Sequence, residues 1–358
     1  MSDENMDECT VTGTCMKMCP LYEVRLRQRE GLLHPFEVVP GTEKNRRPRA
    51  HSKNVVKSYS RCAAGRTDPE PKHLRPLPML VDTVDFLLEK VATRVDASWV
   101  DVYDYAFDRL RAVRQDAVIQ RCRGAGMQRA LEKIVEFHVY AGYRLCEEPQ
   151  ARFDPKINET HAQECLKRLL RRYEDEGDRC GNRARFEAVY LLYNLGSYDA
   201  LAHCLQLHAD LRKSDVVWLA WKINMAYLEC NYVRMFRLVD RLNPVLLCAF
   251  HRHLNHIQKF ALKRMSYGFH SNNLRYPAAR AATLLHFDDA TAARDACHRY
   301  GLTVADAKDD GVGGGEIVFQ KESFKDDENA AASRWNLLES RLLNGSAAYM
   351  KPISQPKT

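Results

Sequence analysis

The sequence lacks any run of about 18 apolar residues, the length that a helix needs to cross the hydrocarbon core of a bilayer. It also lacks a secretory signal at its start, because the opening residues MSDENMDECT are acidic and polar and no apolar stretch follows them. We therefore expect neither a membrane anchor nor passage through the secretory route. The chain is expected to work in the reducing cytosol or nucleus.

Motifs of the common enzyme classes are also missing. The chain contains no GxxxxGK(S/T) nucleotide loop, no GxGxxG after a strand, no HExxH zinc motif and no GxSxG nucleophile turn. The glycines at 313–315 follow two aspartates, whose charge would repel a phosphate, so a flexible hairpin loop is the better interpretation. Because no nucleophile is paired with a base, the sequence predicts a non-catalytic protein without a cofactor.

A disulfide or metal framework is not recognisable either, although the chain has twelve cysteines. The cysteines are scattered singly, and most lie among apolar residues at helical spacing, where a reduced thiol packs as a small hydrophobe. Only Cys15 and Cys19 approach the paired spacing of zinc ligands. His251 and His253 lie two residues apart and so point to different faces of their helix. We expect no metal site.

Positive charge is concentrated in one segment. The chain carries a formal net charge of +7, and the stretch from Glu43 to Arg75 holds ten lysines and arginines against three acidic residues, an excess of the same size. A local basic segment predicts an acidic partner: a nucleic-acid backbone, an acidic protein or an import receptor. Its densest part is a candidate nuclear-localisation signal, with a solvated basic loop as the equal alternative. The cations of that part are Lys44, Arg46, Arg47 and Arg49.

Most of the chain shows apolar residues three and four apart, which is typical of helices joined by short loops. The sequence therefore predicts an all-α protein, with an extended proline-rich strap at 65–78. The helices are predicted at about 21–33, 52–64, 99–122, 127–146, 159–176, 183–195, 198–208, 214–229, 231–241, 244–266 and 330–343. The predicted parts are a tail (1–12), an N-terminal segment with the strap (13–80), a helical-repeat domain (81–268), a winged-helix module (269–322) and a terminal helix with its tail (323–358).

Two helical hairpins of the repeat domain look like copies of one unit. The segment YLLYNLGSYDALAHCL, which begins at Tyr190, aligns with NMAYLECNYVRMFRLV, which begins at Asn224, so the shift is 34 residues. That period is typical of helix-turn-helix repeats that stack into a solenoid. A chance similarity between two amphipathic hairpins is the alternative.

The pattern changes after Phe269. Two short helices at about 277–287 and 288–300 precede two segments rich in β-forming residues that flank a glycine-rich loop. Two helices followed by a hairpin predict a winged helix. Arg294 lies on the second of these helices together with three aspartates, so sequence-specific reading of a DNA groove is not expected.

The helix predicted over 244–266 has two different faces. Its apolar stripe is expected to be buried, and its opposite side presents cations at steps of four, three and four residues. A cationic row backed by a buried face is what a surface that follows a phosphate backbone requires, although a merely solvated face is the more frequent outcome. The row consists of Arg252, His256, Lys259 and Lys263.

Several blocks of the sequence resemble the signature of the Sac/GANP family, of the Thp-type and PCI-like kind, and they occur in the right order over about 13–305. The blocks are GTCMKMCPLYEVRLR (13–27), LHPFEVVPGT (33–42), VVKSYSRCAAG (55–65), PEPKHLRPLPML (69–80), DTVDFLLEKV (82–91), RAVRQD (111–116), CEEPQARFDPKIN (146–158), NYVRMFRLV (231–239) and GLTV (301–304). Within that family the chain is most similar to the small, single-domain branch.

This resemblance implies an array of helical hairpins of the TPR type that ends in a winged helix with a small β-hairpin, the PCI arrangement. It also implies a scaffold that pairs with a second PCI-domain protein and a small acidic subunit of the proteasome-lid type, in a complex for mRNA export. By the same likeness, the partner or RNA surface would include the cationic row and a group of arginines in the winged-helix module. That group is Arg275, Arg280 and Arg294.

Three functions remain as hypotheses. The first is a scaffold in mRNA export from the nucleus. The second, implied by the small branch of the family, is a factor in centrosome duplication and spindle assembly. The third is direct binding of RNA through the cationic row. We expect a location in nucleus and cytoplasm, with the centrosome added under the second hypothesis, and neither a membrane partner nor a small-molecule substrate.

Overall fold

The computed structural model describes residues 11–45, 47–61, 70–305 and 315–343, and it is mostly helical. The predicted all-α class is therefore confirmed. The described chain forms two compact units, one made of residues up to Phe137 with Ala162–Cys180, the other of His138–His161 with residues from Gly181 onward. None of the helices in the described ranges is both long and apolar enough to cross a bilayer. The five-part division of the sequence stays a prediction.

The helices of the first unit form where apolar residues recur three and four apart. A π-helical turn, Leu87–Val91, extends α2, and its apolar residues Leu87, Leu88 and Val91 are buried. The unit consists of α1 (Leu21–Arg29), α2 (Leu77–Phe86), α3 (Trp99–Ile119) and the adjoining parts of α4 (Ala125–Arg144) and α5 (Pro155–Glu176). Short 3₁₀ turns lie at Pro35–Glu37 and Pro71–His73.

The helix predicted over 52–64 is wrong in its described part, which is extended or turned. The backbone there bonds to other elements: Lys57 N donates to Met18 O at 3.0 Å, and Tyr59 N donates to Asp108 Oδ2 at 3.1 Å. These tertiary hydrogen bonds replace the ones that a helix would make. Helical spacing alone was a poor guide here because packing overrides local propensity.

The strap also differs from the prediction. Residues 65–69 lie outside the described ranges, and the remainder is not extended throughout, because it contains the 3₁₀ turn and the start of α2 at Leu77. Pro78 is compatible with that start, since a proline in the first helical turn removes an N–H that has no intrahelical acceptor.

A buried carboxylate ties the N-terminal segment to α3. Glu37 is fully buried and accepts hydrogen bonds from Tyr105 Oη at 3.0 Å and Arg109 Nη2 at 3.2 Å, both on α3. It also pairs with Arg27 of α1, and its Oε1 accepts from Val56 N at 3.2 Å. A charge without water is tolerated only when it is paired and hydrogen-bonded, as Glu37 is.

A second buried carboxylate, Asp116 of α3, holds the next two blocks. Its Oδ1 accepts from Lys57 Nζ at 2.7 Å, and its Oδ2 accepts from Arg75 Nε at 2.8 Å. Lys57 and Arg75 were counted in the basic segment, yet both are engaged inside the fold. The partners of Glu37 and Asp116 come from several of the blocks that carry the family resemblance. These blocks are therefore joined to one another through the two buried carboxylates.

The second unit contains the remaining helices. Its elements are α6 (Arg183–Tyr193), α7 (Tyr198–Gln206), α8 (Ala209–Lys213), α9 (Asp215–Leu228), α10 (Tyr232–Val239), α11 (Pro244–His251), α12 (Leu254–Gly268), α13 (Ala278–Leu285), α14 (Ala290–Arg299) and α15 (Asn336–Leu343), with strands β1 (Tyr276–Pro277), β2 (Thr303–Ala305) and β3 (Glu316–Val318). The short α8 had no counterpart in the sequence prediction.

The two hairpins of the predicted repeat have matching turns. Gly196, between α6 and α7, has φ +77°, and Cys230, at the equivalent position 34 residues later, has φ +54°. A side-chain amide joins the copies, since Asn224 of α9 accepts from Gly196 N at 2.9 Å and donates to Leu191 O at 3.2 Å. The repeat of 34 residues is therefore present in the backbone as well as in the sequence.

The helix predicted over 244–266 is in fact two helices, α11 and α12. Arg252 and His253 form the turn between them, and both side chains donate to Tyr193 O, at 3.0 Å and 3.1 Å. The hydrogen bonds to this one carbonyl hold the turn. The apolar residues of the predicted stripe are buried in both helices, as expected.

The winged-helix module has the order β1, α13, α14, β2, β3, and α12 directly precedes it. Its three strands are antiparallel in the order β1-β3-β2, with Ile317 of β3 opposite both Tyr276 and Val304. Small buried residues such as Ala281 and Ala293 let α13 and α14 approach closely. The glycine-rich loop of the predicted wing, from 309 to 314, lies outside the described residues.

The last helix is shorter than predicted, because α15 begins at Asn336 and not near Ala330. Trp335 precedes it and is nevertheless buried together with Leu338 and Leu342. Trp335 Nε1 donates to His286 O at 3.1 Å, which fixes the start of α15 on the winged-helix module.

Candidate nucleic-acid interface

One face of α12 combines exposed aromatic rings with cations. The opposite side of this helix is buried and carries Leu254, Ile257 and Ala261. Residues at steps of four, three, one and three positions share the exposed side because of the 3.6-residue period. We call this set the α12 stripe, and it consists of His256, Phe260, Lys263, Arg264 and Tyr267.

The aromatic rings of the stripe are accessible. Phe260 is 36% exposed and Tyr267 is 60% exposed, which is high for large apolar side chains on a packed helix. The two rings and the cations Lys263 and Arg264 line one shallow cavity of about 370 Å³. Exposed rings next to cations are the chemistry of single-stranded nucleic-acid binding, where bases stack on the rings and phosphates meet the cations.

His256 extends the aromatic part of the stripe. Its ring lies 4.4 Å from the ring of Phe260, centroid to centroid. Burial, and then the neighbouring charge of Lys259, lower the pKa of His256 from its ordinary value. The imidazole is therefore neutral at pH 7 and contributes a flat ring and not a charge.

The cations of the stripe are held by different partners. Lys263 Nζ is 2.6 Å from Asp326 Oδ2, so part of its charge is compensated at an exposed ion pair. Arg264 Nη2 lies 3.4 Å from Cys230 Sγ, which orients the guanidinium without neutralising it. Arg264 is exposed and is the stronger candidate for a phosphate contact.

Two residues of the predicted cationic row are engaged by neighbouring segments of the chain. Arg252 lies in the turn before α12, pairs with Glu159, and stacks 4.3 Å above the ring of Tyr193. Lys259 is only 8% exposed, and its ammonium donates to Asp326 O and to Asn329 Oδ1. These two cations hold neighbouring chain segments, while His256 and Lys263 of the same row lie on the α12 stripe.

The arginines predicted in the winged-helix module are not part of the α12 cavity. Arg275, before β1, and Arg280, on α13, are exposed, whereas Arg294 on α14 is half-buried. Asp289, one of the aspartates that argued against DNA reading, caps α14 by accepting from Ala292 N at 2.8 Å. The role of the three arginines stays a prediction.

The candidate nuclear-localisation signal stays a prediction as well. Lys44, Arg47 and Arg49 are exposed, as an import receptor would require. Arg46 lies outside the described residues.

Sequence reasoning missed Phe260, Arg264 and Tyr267. The signal that could have found them was their spacing relative to His256, at four, eight and eleven positions, which places all of them on one helix face. Attention to charge alone selected Lys259 and left the aromatic residues out.

The buried carboxylates Glu37 and Asp116 are each engaged by cations and by backbone amides within the fold. Among the described residues, no three histidine, cysteine or acidic side chains are grouped so as to hold a metal ion.

The hairpin repeats followed by a winged helix place the molecule among the PCI-like helical scaffolds. The sequence profile of the SAC3/GANP family matches residues 18–306, and the chain belongs to that family, which is of the scaffold type. The predicted resemblance is thereby confirmed.

Relatives in three organisms match most of the chain. It is 28% identical to SAC3 family protein 1 of Schizosaccharomyces pombe, over 96% of this chain and 35% of that protein. Protein xmas of Drosophila melanogaster is 26% identical, over 91% of this chain and 16% of that protein. SAC3 family protein B of Arabidopsis thaliana is 24% identical, over 73% of this chain and 16% of that protein. The chain thus spans about a third or less of the length of these relatives.

Proposed function

We propose that this chain is a non-enzymatic scaffold in mRNA export from the nucleus, and that its α12 stripe binds single-stranded RNA. The observation that carries the RNA part is the pair of exposed rings, Phe260 and Tyr267, with Lys263 and Arg264 between them. Every base offers a face for stacking, so such a surface binds single strands with little sequence preference.

The assembly is part of the same proposal. Membership in the SAC3/GANP family supports pairing with a second PCI-domain protein and a small acidic subunit of the proteasome-lid type, and work in nucleus and cytoplasm. The chain covers only a fraction of the length of its relatives, and we propose for it the activity of those whole proteins.

An RNA titration tests the binding face. In the full chain, Phe260→Ala with Tyr267→Ala should weaken binding of a labelled oligouridylate by about 1–3 kcal/mol per ring, because a stacking platform is lost. Arg264→Ser should weaken binding of all sequences alike and reduce the salt slope by about one, as the loss of a phosphate contact does.

The controls are matched in chemistry. Tyr198→Ala with Trp218→Ala also removes two exposed aromatic rings, from α7 and α9, and should leave RNA affinity unchanged. Arg29→Ser removes an exposed cation of α1 that is already paired with Glu30 and should also have no effect. Equal losses in the α12 variants and these controls would contradict the proposed face.

The cellular process needs its own test. If the chain acts in export, its depletion should retain poly(A) RNA in the nucleus, and a tagged copy should recover a PCI-domain partner. A normal distribution of poly(A) RNA together with extra or missing spindle poles would instead favour a function at the centrosome.

A further inference from the structure

A second charged surface lies in the first unit, independent of the α12 stripe. It is a cleft of about 500 Å³ between the end of α3 and the second half of α5. Seven lysine or arginine side chains line it against three carboxylates, a difference of four positive charges. A concave site with one predominant sign of charge concentrates field lines and attracts ligands of the opposite sign.

The fold compensates this charge incompletely. Arg114 Nη2 lies 2.7 Å from Glu164 Oε2, and Arg172 Nη1 lies 2.6 Å from Glu176 Oε1, so two of the cations have carboxylate partners. Arg168 lies close enough to both arginines to be repelled by them, and its pKa is lowered, first by burial and then by Arg114 and Arg172. Three guanidinium groups held near one another favour a bound anion.

The cleft also has an apolar floor. Val118 of α3 is 50% exposed there, next to the buried side chains of Ala117 and Met127. An aliphatic side chain left open among arginines is a place where a ligand can bury an apolar group while its charges are satisfied at the rim.

The lining distinguishes between classes of anion. None of the described residues that line the cleft is aromatic, so the stacking platform that single-stranded RNA uses is missing. A small phosphate compound would leave the floor at Val118 unused and would be repelled by Glu164 and Glu176. A peptide with spaced carboxylates can pass between those acidic side chains and place an aliphatic residue on Val118.

We propose that this cleft binds an acidic segment of a partner protein, one in which aspartates or glutamates alternate with aliphatic residues. Carboxylates of the segment pair with Arg168 and Arg171, and an aliphatic side chain covers Val118. Clusters of arginine recognise acidic motifs in this way because the guanidinium fork matches a carboxylate.

A titration with a defined peptide tests the site. The probe is a fluorescein-labelled peptide of about twelve residues, made of Asp and Glu with Leu at every fourth position. In the full chain, Arg168→Gln with Arg171→Gln should weaken its binding about tenfold and reduce its salt dependence. Val118→Asn should weaken it about threefold, with little change in salt dependence.

The matched control removes the same charge elsewhere in the unit. Arg25→Gln with Arg29→Gln, both exposed on α1, should change peptide affinity less than about twofold. A peptide in which Asn and Gln replace the acids should not bind. An equal loss in both double variants, or no binding of the acidic peptide to the unchanged chain, would overturn the proposal.

Two further readouts separate a peptide site from a structural role of Arg168 and from a nucleic-acid site. The Arg168→Gln variant should have a melting temperature equal to or above that of the unchanged chain, because the substitution removes a repelled cation. A lower melting temperature would show that Arg168 is a structural residue and would contradict the proposed site.

If the Arg168 and Arg171 variants lose oligouridylate binding and keep peptide binding, the cleft is a nucleic-acid site and the proposal fails. This outcome is separate from that of the α12 stripe, which is tested with its own variants.

Discussion

Gly196 occupies a turn that leaves no room for a side chain. Its φ is +77°, and an added Cβ would lie 2.5 Å from the ring of Tyr227 in the second hairpin of the repeat. The residue therefore meets two constraints at once, a left-handed backbone and a close neighbour.

Gly196→Ala should lower the free energy of unfolding by about 3 kcal/mol, the sum of the left-handed strain and the overpacking. Gly177→Ala is the matched control, because Gly177 has φ +74° and nothing within 4 Å of an added Cβ. It should lose only about 1 kcal/mol. Urea denaturation measures both, and equal losses would show that the contact with Tyr227 is unimportant.

His251 makes stability depend on pH. Its Nε2 donates to Ser333 O at 2.7 Å, which assigns the tautomer, and burial lowers its pKa from 6.5 to about 4. The folded protein therefore keeps this imidazole neutral, while the unfolded chain takes up a proton below about pH 6.5. Since the unfolded state binds more protons, stability is lost as the pH falls from 6.5 toward 4.

Between pH 7 and about pH 5 this histidine alone should cost about 1–2 kcal/mol of stability. His251→Gln should therefore show a shallower fall than the unchanged chain in denaturation experiments over that range. His253 and His34, whose pKa values are also lowered by burial, remain in both proteins, so the difference isolates His251. Parallel curves would contradict the assignment.

Buried charges join the N-terminal segment to α3. Glu37→Gln keeps the shape of the side chain and removes the charge that Arg27 and Arg109 share. Arg27 would keep its second partner Glu23 and Arg109 would keep Asp108, but both buried guanidinium groups would lose the carboxylate that joins them. The free energy of unfolding should therefore fall by about 3 kcal/mol, the low end for a broken buried pair.

The comparison for this prediction is an ion pair at the surface. Glu30→Gln breaks the exposed pair with Arg29, whose atoms lie 2.8 Å apart, and should change stability by less than about 1 kcal/mol. Guanidinium denaturation of the two variants measures the contrast. A small effect of Glu37→Gln would mean that the blocks of the signature are not joined through this carboxylate.

The helices could be predicted from the sequence where one side of the helix is buried and the other side is exposed to solvent. The ranges of α3, α6 and α9 agree with the sequence pattern to within a few residues. The exceptions have tertiary causes. The segment around Lys57 is pinned by Asp116 and by backbone bonds to distant residues, and the break before α12 is fixed by hydrogen bonds to Tyr193 O. The local spacing of apolar residues does not reveal such tertiary partners.

At the scale of the molecule, the order of the sequence blocks was enough to identify the family, because several independent motifs had to agree. The proposed binding face was less predictable. Charge pointed to the helix that carries it, but whether Lys259 faces water or the segment after the sheet depends on the path of residues 321–329, which the sequence does not reveal. The rings of Phe260 and Tyr267 are exposed only because nothing in the described chain covers them.

The proposed RNA-binding face of the scaffold lies on α12. Ultraviolet crosslinking of the full chain to oligouridylate, followed by tryptic digestion and mass spectrometry, locates the bound RNA, since exposed aromatic rings in contact with bases crosslink efficiently. We predict nucleotide adducts on the peptides 260–263 and 265–275, which carry Phe260 and Tyr267. Adducts confined to the basic segment at 43–75, with none on α12, would contradict RNA binding by the α12 stripe.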